Sequence, residues 1–545
     1  MMTGSEALAH GALVSGVQLV TSYPGSPTTA TVQALLKLAG EKIRIEWSIN
    51  EKSAFDTAFG ASLAGARSMV CLKSVGLNVA LDSLMVSNLA PGDGGFVILV
   101  GDDPGSWGSQ NEEDSRLLVS AAEIPLLEPT SVAESLATMV GAFELSERFR
   151  VPVAVRITRA LAIDQDHVAI PPGSVLEPQL ARFERKGDRF NVLPIHVVEM
   201  HGSLQATVDK VQEVFERSPL NGEAGVGQQG IITAGYAASK LAPILAASND
   251  PPLRTLYLST LYPLPATLIT SFLAKLDAVL VLEETAPYLE TLVRATAQQA
   301  RLTLPVLGRS TRHLPGAGEL FAPQITQAVA SLLPEWPWPR FEPARRTMPS
   351  RDPLCDDCPY IPTVEALTTV MERHGGRDLF VVTGEPGCIV RSQLAPWKML
   401  NVKYGMGSSI GLASGLARTG IPQKVIALSG DSALLHSGLG ELIDAVQAAV
   451  PLLVVVLDNG TTALSGGQPH PGTAADARGQ RREPVDLEAL IRAAGVDTPA
   501  VADPEDVRAT LMALEEGLDS DRVAVVIARH ACSRWAGETD SRMKE

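Results

Sequence analysis

The stretch Val425-Ile426-Ala427-Leu428-Ser429-Gly430-Asp431-Ser432-Ala433, followed after a helix-length interval by Leu452-Leu453-Val454-Val455-Val456-Leu457-Asp458-Asn459, decides the fold. Each apolar run has strand length and ends in polar residues, and the interval to about Ala449 reads as a helix. A strand–helix–strand unit with parallel strands brings the strands' carboxyl ends side by side, at the edge where the helix begins. Asp431 and Asn459, twenty-eight positions apart, therefore meet at one sheet edge. A carboxylate, an amide oxygen and a nearby backbone carbonyl are hard oxygen ligands suited to magnesium, which keeps diphosphate oxygens as further ligands. The helix N-terminus adds free N–H groups and partial positive charge for that diphosphate. Taken singly, Asp431 or Ser432 is equally a helix N-cap and Asn459-Gly460 a turn. The pair at this spacing favours the metal.

Outward from that unit, 545 residues imply about three or four domains. Residues 1–172 alternate short apolar runs (Leu19–Thr21, Ser68–Leu72, Gly95–Val100, Val151–Ile157) with helix-like stretches such as Glu51–Ala66, the rhythm of a parallel sheet covered by helices. A second α/β block spans 190–333, with strands expected at Gly230–Ala234, Thr255–Ser259 and Ala278–Leu282. Residues 334–353 contain six prolines together with Trp336 and Trp338 and read as a linker. The third block, 354–532, adds strands at Asp378–Val382 and Val523–Ala528, and residues 533–545 form a polar tail.

Composition narrows the function classes. A hydrophobic fraction of 45% with 19% charged residues is that of an ordinary globular protein. A formal charge of −16 repels phosphate backbones and anionic lipid, so neither nucleic acid nor a membrane is an expected partner. No run approaches the roughly 20 apolar residues of a membrane span, and the amino terminus lacks a signal-peptide pattern. Five scattered cysteines argue against a disulfide framework and fit a reducing cytoplasm.

Gly430-Asp431-Ser432 and Asp458-Asn459 resemble the thiamine diphosphate signature, G-D-G followed some thirty residues later by N-N, with Ser432 and Asp458 as departures. That cofactor also needs a carboxylate facing N1′ of its aminopyrimidine, as part of an acid–base relay. Glu51 is the candidate, although Ser48-x-x-Glu51 is also a capping box for the helix that follows. Over nearly its whole length the chain resembles the α subunit of indolepyruvate:ferredoxin oxidoreductase, one of the thiamine-dependent 2-oxoacid:ferredoxin oxidoreductases. The resemblance rests on Ser22-Tyr23-Pro24-Gly25-Ser26-Pro27, Asn50-Glu51-Lys52, Val75-Gly76-Leu77-Asn78-Val79, Asp102-Asp103-Pro104-Gly105, Ser109-Gln110-Asn111-Glu112 and Leu261-Tyr262-Pro263-Leu264-Pro265. It continues through Cys355-x-x-Cys358-Pro359, Gly387-Cys388, Met406-Gly407-Ser408-Ser409-Ile410-Gly411 and Gln468-Pro469-His470-Pro471-Gly472.

The resemblance implies an α/β thiamine diphosphate-binding fold: pyrimidine-binding and diphosphate-binding domains, each a doubly wound parallel sheet, separated by a transketolase-C-like domain. It implies Glu51 at N1′, magnesium on Asp431, Asn459 and the Thr461 carbonyl, and cofactor contacts from Gly430, Ser432, Ala433, Met406, Ser409, Cys388 and His436. Met406, Cys388 and His436 are equally readable as plain core. Ser26, Asn78 and Tyr360 become substrate candidates, with a proline-framed turn as the other reading of Ser26. The implied reaction is oxidative decarboxylation of an aryl- or alkyl-substituted 2-oxo acid. Coenzyme A would take the acyl group, a β subunit would be the partner, and the assembly would be a dimer or heterotetramer. A non-oxidative decarboxylase or carboligase and a non-catalytic assembly subunit are the alternatives.

Two departures qualify this picture. Family members continue past the segment matching Ala528–Cys532 into a module with two four-iron clusters, whereas this chain has thirteen further residues and no cysteine among them. Cys355-x-x-Cys358 has no second such pair at finger-like spacing. The expectation is therefore no iron–sulfur cluster in this chain, with electrons leaving to a separate ferredoxin, flavin or other acceptor. The family's Cys-Pro-His-Arg reads Cys358-Pro359-Tyr360-Ile361, and its His before Gln-Pro-His-Pro-Gly is Gly467, so substrate choice is expected to differ.

Overall fold

The structure, a computed structural model, describes residues 1–41, 43–170, 181–183, 189–342 and 353–535. Much of the proline-rich stretch and most of the polar tail lie outside the described residues. The chain forms two compact units: Met1–Ile45 with Glu51–Met348, and Glu46–Asn50 with Pro349–Glu545.

Besides a two-stranded ribbon that pairs Met2–Thr3 with Gln165–Asp166, the first unit holds two larger sheets. One is seven-stranded, in the order Thr260–Tyr262, Leu126–Leu127, Val153–Thr158, Phe96–Asp102, Ser68–Lys73, Leu19–Ser22, Arg44–Trp47. Leu126–Leu127, Val153–Thr158, Phe96–Asp102, Ser68–Lys73 and Leu19–Ser22 run parallel. Every residue of Phe96–Asp102 and of Val153–Thr158 is buried, which is why these strands read as largely apolar runs, with Asp102 and Arg156 as the paired exceptions. The other sheet has five strands, Val306–Leu307, Ala278–Leu282, Gln229–Ala234, Leu253–Leu258 and the antiparallel edge Gly222–Gly225.

One apolar cluster joins these two sheets, from Phe55, Leu77 and Ile98 on one side to Leu258, Phe272 and Val281 on the other. A buried ion network lies within the same unit. Arg116 reaches Asp114 at 2.5 Å and Glu283 at 2.9 Å, while Arg156 reaches Asp102 at 2.6 Å and also pairs with Glu128. Both guanidiniums also donate to the Glu284 carbonyl. Desolvating such charges is expensive unless each is paired, so truncating either arginine would strand a carboxylate in the interior.

The second unit is built on a six-stranded, wholly parallel sheet, Val402–Lys403, Phe380–Gly384, Lys424–Gly430, Leu452–Asp458, Val523–Arg529, Ala500–Ala502. The expected strand at Asp378–Val382 starts two residues later, because Arg377–Leu379 forms a 3₁₀ turn. The helix expected to run unbroken to about Ala449 is interrupted. Asp431–Ala433 passes into a wide π-type turn, Leu434–Gly438, before Leu439–Gln447 resumes as an α-helix. Such widened turns inside helices are frequent at functional sites.

Candidate metal and cofactor site

Register places the polar residues of the second unit. Gly430 pairs with Leu457 across neighbouring parallel strands, so Asp431 and Asp458–Asn459 leave the sheet at its carboxyl edge. Asp431, 2% exposed, takes the Ser432 N–H on Oδ1 at 2.7 Å and the Gly460 N–H on Oδ2 at 2.8 Å. His470 Nε2 lies 3.1 Å from the same Oδ2. The Gly472 N–H donates to His470 Nδ1 at 3.1 Å, which leaves Nε2 as the protonated nitrogen of a neutral ring donating to Asp431. Asn459 Oδ1 accepts the Thr461 N–H at 3.2 Å, and both residues are buried.

A second acid lies next to this pair. Burial, then the charge of Asp431, pushes the Asp458 carboxyl up to about 6, against the pull of Arg529, whose Nε donates to it at 2.8 Å. Two buried acids, one of them paired with Arg529, and an amide oxygen between strand ends form a hard-oxygen set. That donor set fits a magnesium ion. Ser409 begins the helix Ser409–Arg418, and its buried hydroxyl has no hydrogen-bonding partner. It suits an anionic group at that helix N-terminus. Gly430, Ser432 and Ala433 frame the same edge, and Thr462 donates to the Ser432 hydroxyl at 3.2 Å. The Met406 carbonyl accepts the Ser437 hydroxyl at 3.0 Å; His436, buried, lies within the π-type turn.

Glu51 belongs to the first unit, where it opens the helix Glu51–Leu63 and is 7% exposed. Its carboxylate packs on Gly76, in the short helix Ser74–Val79. A Cβ at Gly76 would come within 2.6 Å of both Glu51 Cγ and Oε1. The glycine is required by this contact and by no turn. Asn78, on the same short helix, donates to Glu113 Oε2 at 3.0 Å. Ser26 is exposed at its turn, and Pro27 is seated on Gly101, where a Cβ would fall 2.7 Å from the ring.

Tyr360 is 6% exposed, packs in the sheet's apolar core and donates its hydroxyl to the Leu457 carbonyl at 3.2 Å. Burial, then the charge of Asp431, pushes its phenol up, which sets that hydroxyl beside the same sheet edge. At Gly467, φ is +76° and a Cβ would fall 2.5 Å from Trp535 Cδ2. The Trp535 indole takes the space that a side chain at 467 would need.

Sequence spacing did not show that four of the cysteines influence one another's titration. Cys388 follows one strand of the six-stranded sheet and Cys532 another, and the Cys532 N–H donates to the Asn459 carbonyl at 3.2 Å. Cys355 and Cys358 close one turn ahead of the helix Tyr360–Arg373, the Cys358 N–H bonded to the Cys355 carbonyl at 3.0 Å. Burial pushes the Cys388 thiol up to about 12 and the Cys358 thiol up to about 11. The other cysteines add to both shifts: Cys358, Cys532 and Cys355 act on Cys388, and Cys355 and Cys532 on Cys358. Four of the five thiols thus share one neighbourhood. Among the described residues no three His, Cys, Asp or Glu side chains converge on a single ion. A four-iron cluster, whose thiolates bind different irons, holds its ligands further apart and uses four cysteines.

Sequence reasoning missed His470 as the partner of Asp431 and the buried Glu385, described below. His470 stood inside a quoted motif. Glu385, beside Gly387-Cys388, carried no local signal.

Two family models match the chain: "Pyruvate flavodoxin/ferredoxin oxidoreductase, thiamine diP-bdg" over residues 10–215, and "Thiamine pyrophosphate enzyme, C-terminal TPP binding domain" over residues 388–528. They fall on the seven-stranded and six-stranded sheets. The indolepyruvate oxidoreductase subunit IorA of Archaeoglobus fulgidus is 34% identical over 98% of this chain and 86% of its own length. That of Pyrococcus abyssi is 33% identical over the same shares. Among solved structures, the 2-oxoglutarate:ferredoxin oxidoreductase of Magnetococcus marinus aligns with a TM-score of 0.47 at 18% identity, covering 61% of this chain and 64% of that one. The chain has an α/β thiamine diphosphate-binding fold and belongs to the indolepyruvate oxidoreductase subunit IorA family of thiamine diphosphate-dependent 2-oxoacid oxidoreductases.

Proposed function

We propose that the chain is the catalytic subunit of an oxidoreductase that decarboxylates an aryl- or alkyl-substituted 2-oxo acid with thiamine diphosphate and magnesium. The observation that supports this reading is a pair of buried acids, Glu51 packed against Gly76 and Asp431 bonded to Gly460 and His470. Asp431, Asn459 and the Thr461 carbonyl would hold the metal. The diphosphate would lie at the start of the helix Ser409–Arg418 and beside Ser432. Glu51 would hold a proton at N1′ of the aminopyrimidine, in a position screened from water by its own burial. The cofactor, when bound, supplies a carbon nucleophile and a sink for the electrons left by carbon dioxide.

Cys355, Cys358, Cys388 and Cys532 would hold a four-iron cluster, which accepts electrons singly. This reading departs from the sequence expectation of no cluster, and with it the oxidative reaction is preferred over a non-oxidative decarboxylase. Coenzyme A is proposed as acyl acceptor, and a β subunit with a ferredoxin or flavin acceptor as the onward route. Trp535 over Gly467, where the family pattern has a histidine, makes indolepyruvate itself a doubtful substrate and favours a different 2-oxo acid.

The test is anaerobic incubation of the purified chain with thiamine diphosphate, magnesium, coenzyme A and a panel of 2-oxo acids. Carbon dioxide together with reduction of a viologen dye supports the proposal. Aldehyde or acyloin without dye reduction replaces it with the non-oxidative reading. Absence of thiamine diphosphate binding by calorimetry leaves the assembly-subunit reading.

A further inference from the structure

Glu385 is fully buried and immediately follows the strand Phe380–Gly384. The ladder between this strand and Lys424–Gly430 runs from Phe380↔Lys424 to Thr383↔Ala427. Past that point the Glu385 side chain takes over: Oε1 accepts the Ser429 hydroxyl at 2.6 Å and the Gly430 N–H at 3.1 Å. The Ser409 N–H, first in its helix, also favours the carboxylate, while burial pushes the carboxyl up to about 7. Oε2 has no hydrogen-bonding partner, and neither has the Ser409 hydroxyl. A carboxyl in such a place is costly, and an apolar side chain of similar size would fill the space at lower cost.

The peptide that Glu385 holds, Ser429–Gly430, lies one residue ahead of Asp431, whose carboxylate binds the Gly460 N–H beside Asn459. One carboxyl thus links the end of one strand, the end of the next and the start of the helix Ser409–Arg418. We propose that Glu385 is a positioning residue for the metal–diphosphate edge, setting the Gly430 peptide so that Asp431 faces Asn459. It acts through Asp431 and touches no reacting atom. The inference rests on the cofactor reading given above.

The experiment is calorimetric titration of the full chain, wild type and variants, with thiamine diphosphate at fixed magnesium, beside thermal unfolding of the cofactor-free chain. Glu385→Ala should weaken binding at least tenfold, with kcat at saturating cofactor within twofold of wild type. Glu385→Gln, whose amide oxygen accepts the same two donors, should restore affinity to within threefold. Should Glu385→Ala fail to fold, Ser429→Ala, which removes one of the two donors, should weaken binding severalfold with the chain intact. Wild-type affinity in Glu385→Ala, or equal losses in the Ala and Gln variants, would overturn the positioning role while leaving the cofactor reading intact. A wild-type chain that binds no thiamine diphosphate overturns both.

Discussion

Replacing Gly76 by alanine puts a methyl carbon 2.6 Å from Glu51 Cγ and Oε1 and 2.9 Å from Glu51 Cδ. Nonbonded carbons settle at about 3.5–4.0 Å, so the Glu51 side chain or the short helix Ser74–Val79 must retreat by about 1 Å. Glu51 sits in a packed interior with Ala54 and Phe55 fully buried behind it, which makes the overpacking cost about 1–3 kcal/mol of stability. A misplacement of about 1 Å in a group that must meet one ring nitrogen costs about 100-fold in rate. The prediction is a kcat lowered about 100-fold, with calorimetric affinity for magnesium and thiamine diphosphate held within a few fold, because the residues proposed to bind them lie in the other unit. Stability is read from urea unfolding, and kcat from dye reduction at saturating cofactor. A Gly76→Ala chain that loses stability yet turns over at the wild-type rate would refute the placement of Glu51 at the reacting ring.

Three further outcomes follow from the second unit. Asp431→Ala leaves the Gly460 N–H and the His470 Nε2–H without their acceptor, so it should abolish magnesium-dependent cofactor binding in calorimetry and cost about 1–3 kcal/mol in unfolding experiments. The Glu385 carboxyl titrates near 7 when folded against 4.5 in its unperturbed state, so the native chain binds the extra proton between those values. Its contribution is fully present below about pH 4.5 and is lost as pH rises through about 7, up to about 3 kcal/mol; Glu385→Gln should flatten that part of the curve, and an unchanged slope would exclude Glu385 as its source. Cys388→Ser should lower iron and acid-labile sulfide in anaerobically purified protein and remove the low-temperature electron paramagnetic resonance signal of the reduced chain; a wild-type chain with no iron after cluster reconstitution would refute the four-cysteine site.

The central strands of the seven- and six-stranded sheets were legible because a strand covered on two faces is mostly apolar, whereas short strands such as Leu126–Leu127, Val402–Lys403 and Ala500–Ala502 carried no such run. Leu452–Asp458, buried at every residue, has no other reading. Asp431 and Asn459 were legible because they follow strands within one strand–helix–strand unit, where chain distance and spatial position are tied. The break at Leu434–Gly438 was not, since the apolar spacing continues through it. Tyr360 was picked out by residue type, and its hydroxyl bond to the Leu457 carbonyl was not legible because a different segment supplies the acceptor. His470, Glu385 and the cysteines share this cause. Each acts on a group brought to the sheet's carboxyl edge by another segment, and no local pattern records such a meeting.

The central claim is that this chain removes carbon dioxide from a 2-oxo acid and passes the remaining electrons onward under the control of Glu51. Its most direct test is a single-vessel anaerobic assay with a 2-oxo acid carrying ¹³C at its carboxyl, following labelled carbon dioxide and viologen reduction together in wild type and in Glu51→Gln. The account predicts that both signals rise in step in the wild type, require added thiamine diphosphate, and vanish together in Glu51→Gln while cofactor affinity is retained. Labelled carbon dioxide without dye reduction, or unchanged turnover in Glu51→Gln, would contradict it.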